Sequence, residues 1–135
     1  MVSEVPSHAQ VVIIGGGVAG CSVAYHLTRL GWQDVVLLER KSLTSGTTWH
    51  AAGLIGQLRA THNLTRLAQY TAELYAALEK ETGQATGFRQ NGSLSIASEP
   101  ERFEELRRGA SMASCFGLEA EVISPAEAGE LHPLI

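Results

Sequence analysis

The sequence lacks the features that mark several specialised classes. Cysteine occurs only at Cys21 and Cys115, too sparse for a disulfide framework or a metal-binding pair motif. Basic residues are not in excess: 10 Lys and Arg against 14 Asp and Glu give a net charge of -4 at pH 7. That balance gives no electrostatic footprint for nucleic acid, and no run of like charge forms a tail. The most apolar stretch, Val11 to Tyr25, is too short and too glycine-rich to span a bilayer. The N-terminal stretch M-V-S-E-V-P-S-H has neither the apolar core of a secretory signal nor an arginine-rich transit pattern. A cytoplasmic protein without a membrane span or metal site is the expectation. Repeats and low-complexity segments are absent too. What is present, 44% hydrophobic and 18% charged residues in 135, is the composition of an ordinary globular domain.

Against that plain background Gln10 to Arg40 stands out. Val11 to Ile14 is a β-branched apolar run of the kind that forms a strand buried on both faces. Gly15, Gly17 and Gly20 follow at G-x-G-x-x-G spacing, and Val18 to Leu30 fits a helix with Val23, Ala24 and Leu27 on one side. Gly31 is its expected stop. Val35 to Leu38 is a second buried strand, ending at Glu39. In such a unit the first glycine permits the sharp turn out of the strand. The second leaves room for a pyrophosphate at the backbone, and the third lets helix and strand pack closely. The helix N-terminus offers free N–H groups and a partial positive charge to phosphates. Glu39, 19 residues past Gly20, is placed to accept hydrogen bonds from an adenosine ribose. Strand, glycines, helix and acid together predict a dinucleotide site, for NAD(P) or FAD. Cys21, within the helix, is expected to be a small packing residue.

Lys41 to Arg59 is rich in Gly, Ser and Thr yet carries Trp49 and His50, costly residues for a bland connector. A loop leaving the acid-bearing strand would pass over the pyrophosphate. Leu64 to Glu81 reads as an amphipathic helix with Leu64, Leu67, Ala68, Leu74, Tyr75 and Leu78 on its apolar side. Asn63 is the expected cap and Gly83 the stop. Leu94 and Ile96 alternate with serines after the Asn91-Gly92 turn signal, predicting a half-buried strand of a second, antiparallel sheet. Ser98-Glu99-Pro100-Glu101 fits a capping box for a helix to about Phe116, with Phe103, Leu106, Ala110 and Ala113 buried and the charges of 99–108 forming a solvated face. Gly117 would stop it, Ala120 to Ile123 would be a short strand, and Ser124-Pro125-Ala126-Glu127 is a second capping box. The expected class is α/β: the N-terminal part of a Rossmann-type domain, residues 1–60, then the start of an α+β substrate region, 61–135. Only two strands of a nucleotide sheet are found, so the chain reads as the N-terminal piece of a longer protein.

From Gln10 onward the sequence resembles the sarcosine and dimethylglycine dehydrogenases, FAD-dependent amine oxidoreductases of the D-amino-acid-oxidase-like superfamily. The resemblance begins in Gly20-x-x-x-Ala24-x-x-Leu27-x-x-x-Gly31 and Glu39-Arg40. It is most specific in T-T-W-H-A-A-G-L, residues 47–54, and continues in Glu81-Thr82-Gly83, in 90–98 and in 124–134. It implies FAD as cofactor and an N-methyl amino acid as substrate, sarcosine first and dimethylglycine second. By the same resemblance Val18 and Ala19 contact the pyrophosphate, and Glu39 and Arg40 hold the ribose side. Gly46, Thr47, Thr48, Trp49, His50, Ala51, Ala52, Gly53 and Leu54 wrap the pyrophosphate and approach the flavin ring. The resemblance further implies that the histidine of this motif, here His50, carries FAD covalently through the flavin's 8α-methyl group; a neutral imidazole is a competent nucleophile near neutral pH. The flavin accepts a hydride from the substrate, giving an iminium that loses its one-carbon unit. Electrons pass to an electron-transfer flavoprotein or oxygen, and folate takes the one-carbon unit through sequence outside this chain. Substrate-binding residues are expected outside it too.

Two other readings compete. A non-catalytic regulatory relative would keep the fold for control; Trp49-His50 favours the enzyme, since a regulator needs no flavin tether. A plain NAD(P)-binding module is the other.

Overall fold

A computed structural model describes residues 6–135, so Met1–Val5 of the N-terminal stretch expected to hold no targeting signal lie outside them. The chain divides into two units, one reaching Leu54 and one running from Ile55 to Ile135.

The first unit is a βαβ motif. Strands β1 (Val11–Ile14) and β2 (Val35–Leu38) are parallel, in the register Val11 to Val35 through Ile14 to Leu38. Helix α1 (Val18–Arg29) connects them. The pair is extended at one end by Gly15 N–H donating to the Leu38 carbonyl at 2.8 Å. At the other end Gln10 N–H donates to Asp34 Oδ2 at 3.0 Å. Gly31 stops α1 as expected. At φ 91° it lets Trp32 N–H reach back to the Leu27 carbonyl and its own N–H to the Thr28 carbonyl, a Schellman closure.

The strands were expected to be buried on both faces, and here the structure differs. Val11 and Ile13 are half-buried beneath α1, whereas Val12 is 53% and Ile14 87% exposed on the opposite face. Val23 of α1 is also exposed. One helix covers one face of a sheet, and among the described residues of this unit nothing covers the other.

The second unit holds α2 (His62–Thr82), α3 (Pro100–Cys115) and α4 (Pro125–Leu131). Its buried residues are small: Ala68, Ala72 and Ala113, with Thr65 fully enclosed. Gln69 Nε2 donates to the Phe116 carbonyl at 3.4 Å, and the His62 and Phe116 rings lie 5.2 Å apart. Leu64, Leu67 and Phe103, expected inside, are exposed.

Helix ends correct the sequence expectation twice. The cap of α2 is Thr61, not Asn63; its side chain accepts from Leu64 N–H at 3.3 Å. The Ser98 capping box does not form. Pro100 pushes the preceding Glu99 into extended backbone, φ -119° and ψ 146°, so Glu99 becomes the cap and Pro100 the first helical residue. The Ser124 box does form: Ser124 N–H donates to Glu127 Oε2 at 2.7 Å, and Glu127 N–H to Ser124 Oγ at 3.3 Å. Gly83 and Gly117 end α2 and α3 as expected. The charged face of α3 is solvated, carrying exposed pairs such as Arg102–Glu105 at 2.6 Å, which contribute little. The strands expected around Leu94–Ile96 and Ala120–Ile123 are not formed, because neither segment has a ladder partner among the described residues. Among the described residues no helix is long and apolar enough to cross a membrane.

Candidate functional site

The site is built where β1 turns into α1. Gly15, at φ 104°, bends the chain sharply out of the strand. Gly20 sits so close to that bend that a Cβ would collide with the Gly15 carbonyl oxygen and press on Ile13. Helix α1 therefore starts directly above the strand end. Its cap, Gly17, has no side chain to offer, and no acidic residue occupies the first turn. The first amides, of Val18, Ala19 and Gly20, have no acceptor within the helix. The positive end of the helix is left for an anion.

Glu39, at the end of β2, reaches back across this bend. Its Oε2 accepts from Gly16 N–H at 2.8 Å, and its Oε1 from Lys41 N–H at 2.9 Å. The Gly16 bond first, then the Lys41 bond, holds the carboxyl below its ordinary value, with the Arg40 amide and charge adding to them and partial burial opposing. Glu39 is therefore an anion at neutral pH.

The segment after β2 folds back over the same bend. Thr44, at φ 64°, donates its N–H to the Gly16 carbonyl at 2.8 Å. Within this loop residues Thr47–His50 form a 3-10 turn. Val18 N–H donates to Thr48 Oγ1 at 2.9 Å. An open cleft of about 520 Å³ results. Gly17, Val18 and Ala19 form one wall, Glu39, Arg40 and Lys41 a second, and 45–48 with Ala51 the third.

Nine of the residues singled out in the sequence meet in this cleft: Gly17, Val18, Ala19, Glu39, Arg40, Gly46, Thr47, Thr48 and Ala51. Gly15 and Gly20 lie beneath it as architecture. Trp49, His50, Ala52, Gly53 and Leu54 do not line it. Trp49 is 79% and Leu54 88% exposed, and His50 is exposed on the 3-10 turn. The Val18 N–H, assigned by resemblance to a pyrophosphate, is engaged by the Thr48 hydroxyl.

Sequence reasoning missed Gly16, Lys41 and Ser45. Gly16 is the hub. Its N–H serves Glu39, its carbonyl accepts from Thr44 N–H and from Cys21 Sγ at 3.5 Å, and a Cβ there would lie 2.5 Å from Leu43 Cδ2. The only hint was a third glycine inside a motif that needs two at that point.

Residues 10–135 match the DAO family, described as FAD dependent oxidoreductases. The chain belongs to that family. Sarcosine dehydrogenase, mitochondrial, of Homo sapiens is 50% identical over 131 residues, 96% of this chain and 14% of that protein. Pyruvate dehydrogenase phosphatase regulatory subunit, mitochondrial, of Mus musculus is 45% identical over 130 residues, 96% of this chain and 15% of that protein. The chain thus spans about one seventh of the length of these relatives. Among solved structures, L-proline dehydrogenase from P. horikoshii superposes with a TM-score of 0.87 at 28% identity, over 96% of this chain and 34% of that one. The βαβ unit is accordingly the start of a Rossmann-type FAD-binding domain, and the family settles the cofactor as FAD rather than NAD(P).

Proposed function

We propose that this chain supplies the dinucleotide-binding part of an FAD-dependent oxidoreductase acting on the C–N bond of N-methylated glycine derivatives. Sarcosine is the first substrate and dimethylglycine the second, and His50 carries the flavin. The observation behind the reading is the 3-10 turn that brings Thr47 and Thr48 into the cleft with Glu39 and the α1 N-terminus, and carries His50 on its end.

The residues suit FAD. Ala19 and Gly20 present amides without helical acceptors to a pyrophosphate. The Gly17 Cβ position meets only Thr48 Oγ1, at 3.1 Å, so the backbone can be approached closely. The Glu39 anion has lone pairs beyond those used by Gly16 and Lys41, enough to accept from ribose hydroxyls. Bound FAD would supply the two-electron oxidation of the substrate; this chain would hold, orient and tether it. The electron acceptor is an electron-transfer flavoprotein or oxygen. Residues 61–135 begin the substrate region, with the substrate clamp and any folate site outside this chain.

The 45% identity to a phosphatase regulatory subunit keeps a non-catalytic regulator as second reading. The test is on the full-length protein: the flavin absorption band, then bleaching of that band by sarcosine, dimethylglycine and glycine. Bleaching by an N-methylated compound and not by glycine is the expected result. A flavin band that no amine bleaches, or no band at all, would overturn the enzyme reading and move the protein to the regulatory one.

A further inference from the structure

We infer that Thr48 is the positioning residue of the Trp49–His50 turn, holding it on the N-terminus of α1 before any cofactor arrives. The inference rests on the reading of His50 as the flavin's attachment point. Its geometry is independent of that reading.

Two hydrogen bonds fasten the segment after β2 to the glycine bend. Thr44 N–H donates to the Gly16 carbonyl at 2.8 Å, and Val18 N–H donates to Thr48 Oγ1 at 2.9 Å. Two more close the turn: Trp49 N–H to the Gly46 carbonyl and Ala51 N–H to the Thr48 carbonyl, each at 3.2 Å. Thr48 is where both sets meet. Its carbonyl closes the turn and its hydroxyl fastens the turn to α1. The hydroxyl does so through the first amide of the helix, which lacks an intrahelical acceptor. It is also the atom nearest a Gly17 Cβ position, at 3.1 Å, so the absence of a side chain at Gly17 makes room for Thr48 as well as for a ligand. The β-branched side chain restricts χ1 and keeps the hydroxyl on target. An anion at this helix end is then left the Ala19 and Gly20 amides, while Val18 keeps the turn in place and His50, two residues on, at a fixed distance from the anion.

The experiment uses full-length protein, produced free of cofactor by riboflavin starvation, as wild type, Thr48→Val and Thr48→Ser. Hydrogen exchange is followed by mass spectrometry, and FAD is then added to time its covalent attachment. In Thr48→Val, amides of 44–51 should exchange about tenfold faster, as expected for one lost hydrogen bond, with β1 and the later turns of α1 unchanged. Attachment should slow by about the same factor. Thr48→Ser should restore both. Unchanged exchange at 44–51 in Thr48→Val overturns the inference. So does exchange that accelerates equally in β1 and α1, which would make Thr48 a general structural support. A wild type that attaches no flavin removes the His50 reading, and the exchange comparison still decides Thr48.

Discussion

Glu39 Oε2 accepts a hydrogen bond from Gly16 N–H at 2.8 Å, across 23 positions of sequence. With Oε1 taken by Lys41 N–H, one carboxylate ties the glycine bend to the start of the segment that follows β2.

Glu39→Gln should therefore weaken FAD binding through architecture as well as lost ribose contacts. An amide has one accepting end, so either Gly16 N–H or Lys41 N–H would face an NH2 group. On a His50→Ala background, where flavin exchanges freely, the variant should bind FAD about tenfold more weakly at neutral pH. The pH dependence has a definite sign. A carboxyl depressed in the folded protein stabilises it above the ordinary value, 4.5, and that contribution is lost as pH falls through the lower folded value. The stability difference between wild type and Glu39→Gln should be constant above that range and shrink in acid below it. A difference that does not change down to strongly acidic pH would contradict the assignment.

Two glycine substitutions should behave oppositely. Gly20→Ala puts a Cβ onto the Gly15 carbonyl, backbone against backbone, so neither partner can swing aside; loss of FAD retention and of cooperative melting is expected. Gly109→Ala, inside α3 with its nearest neighbour Leu58 Cδ2 at 4.0 Å, should be neutral or stabilise by up to about 1 kcal/mol. Melting curves of both variants decide.

Thr65 is fully buried and its hydroxyl serves Arg59 twice, accepting from the N–H at 3.1 Å and donating to the carbonyl at 3.2 Å. Thr65→Val keeps the shape and strands both backbone groups, at a cost of about 1–3 kcal/mol. Thr65→Ser should retain most of the stability. Equal melting temperatures for Thr65→Val and wild type would show that these bonds contribute nothing.

The open sheet face predicts how residues 1–135 behave as an isolated polypeptide. Val12 and Ile14 on that face are more than half exposed, and on α2 Leu64 and Leu67 are at least half exposed; apolar surface of that kind drives association. Aggregation, dye binding to apolar surface and weak FAD binding are expected. A monomer with a sharp melt and stoichiometric FAD binding would contradict this.

Features fixed by neighbouring residues could be read from the sequence. The Gly31 and Gly117 closures, the Ser124–Glu127 box, the two strand segments and Glu39 at the strand end all follow from local chemistry. Features fixed at a distance could not. The Leu94–Ile96 pattern alternates as a strand should, yet alternation supplies no partner. Gly16 became important only when Leu43, Thr44 and Glu39 were folded onto it, and Thr65 only when Arg59 came to rest beside it. Ser98 matches the box pattern, but Pro100 holds Glu99 in extended backbone, and that constraint decides the cap.

The most direct test is the covalent state of His50 in the full-length protein. The protein is denatured, precipitated with acid, digested, and the peptide containing Trp49-His50 weighed. This peptide is expected to carry the mass of FAD, and His50→Ala to release the flavin into the supernatant. Unmodified peptide from wild type, with free flavin in the supernatant, would contradict the tether while leaving the FAD-binding fold intact.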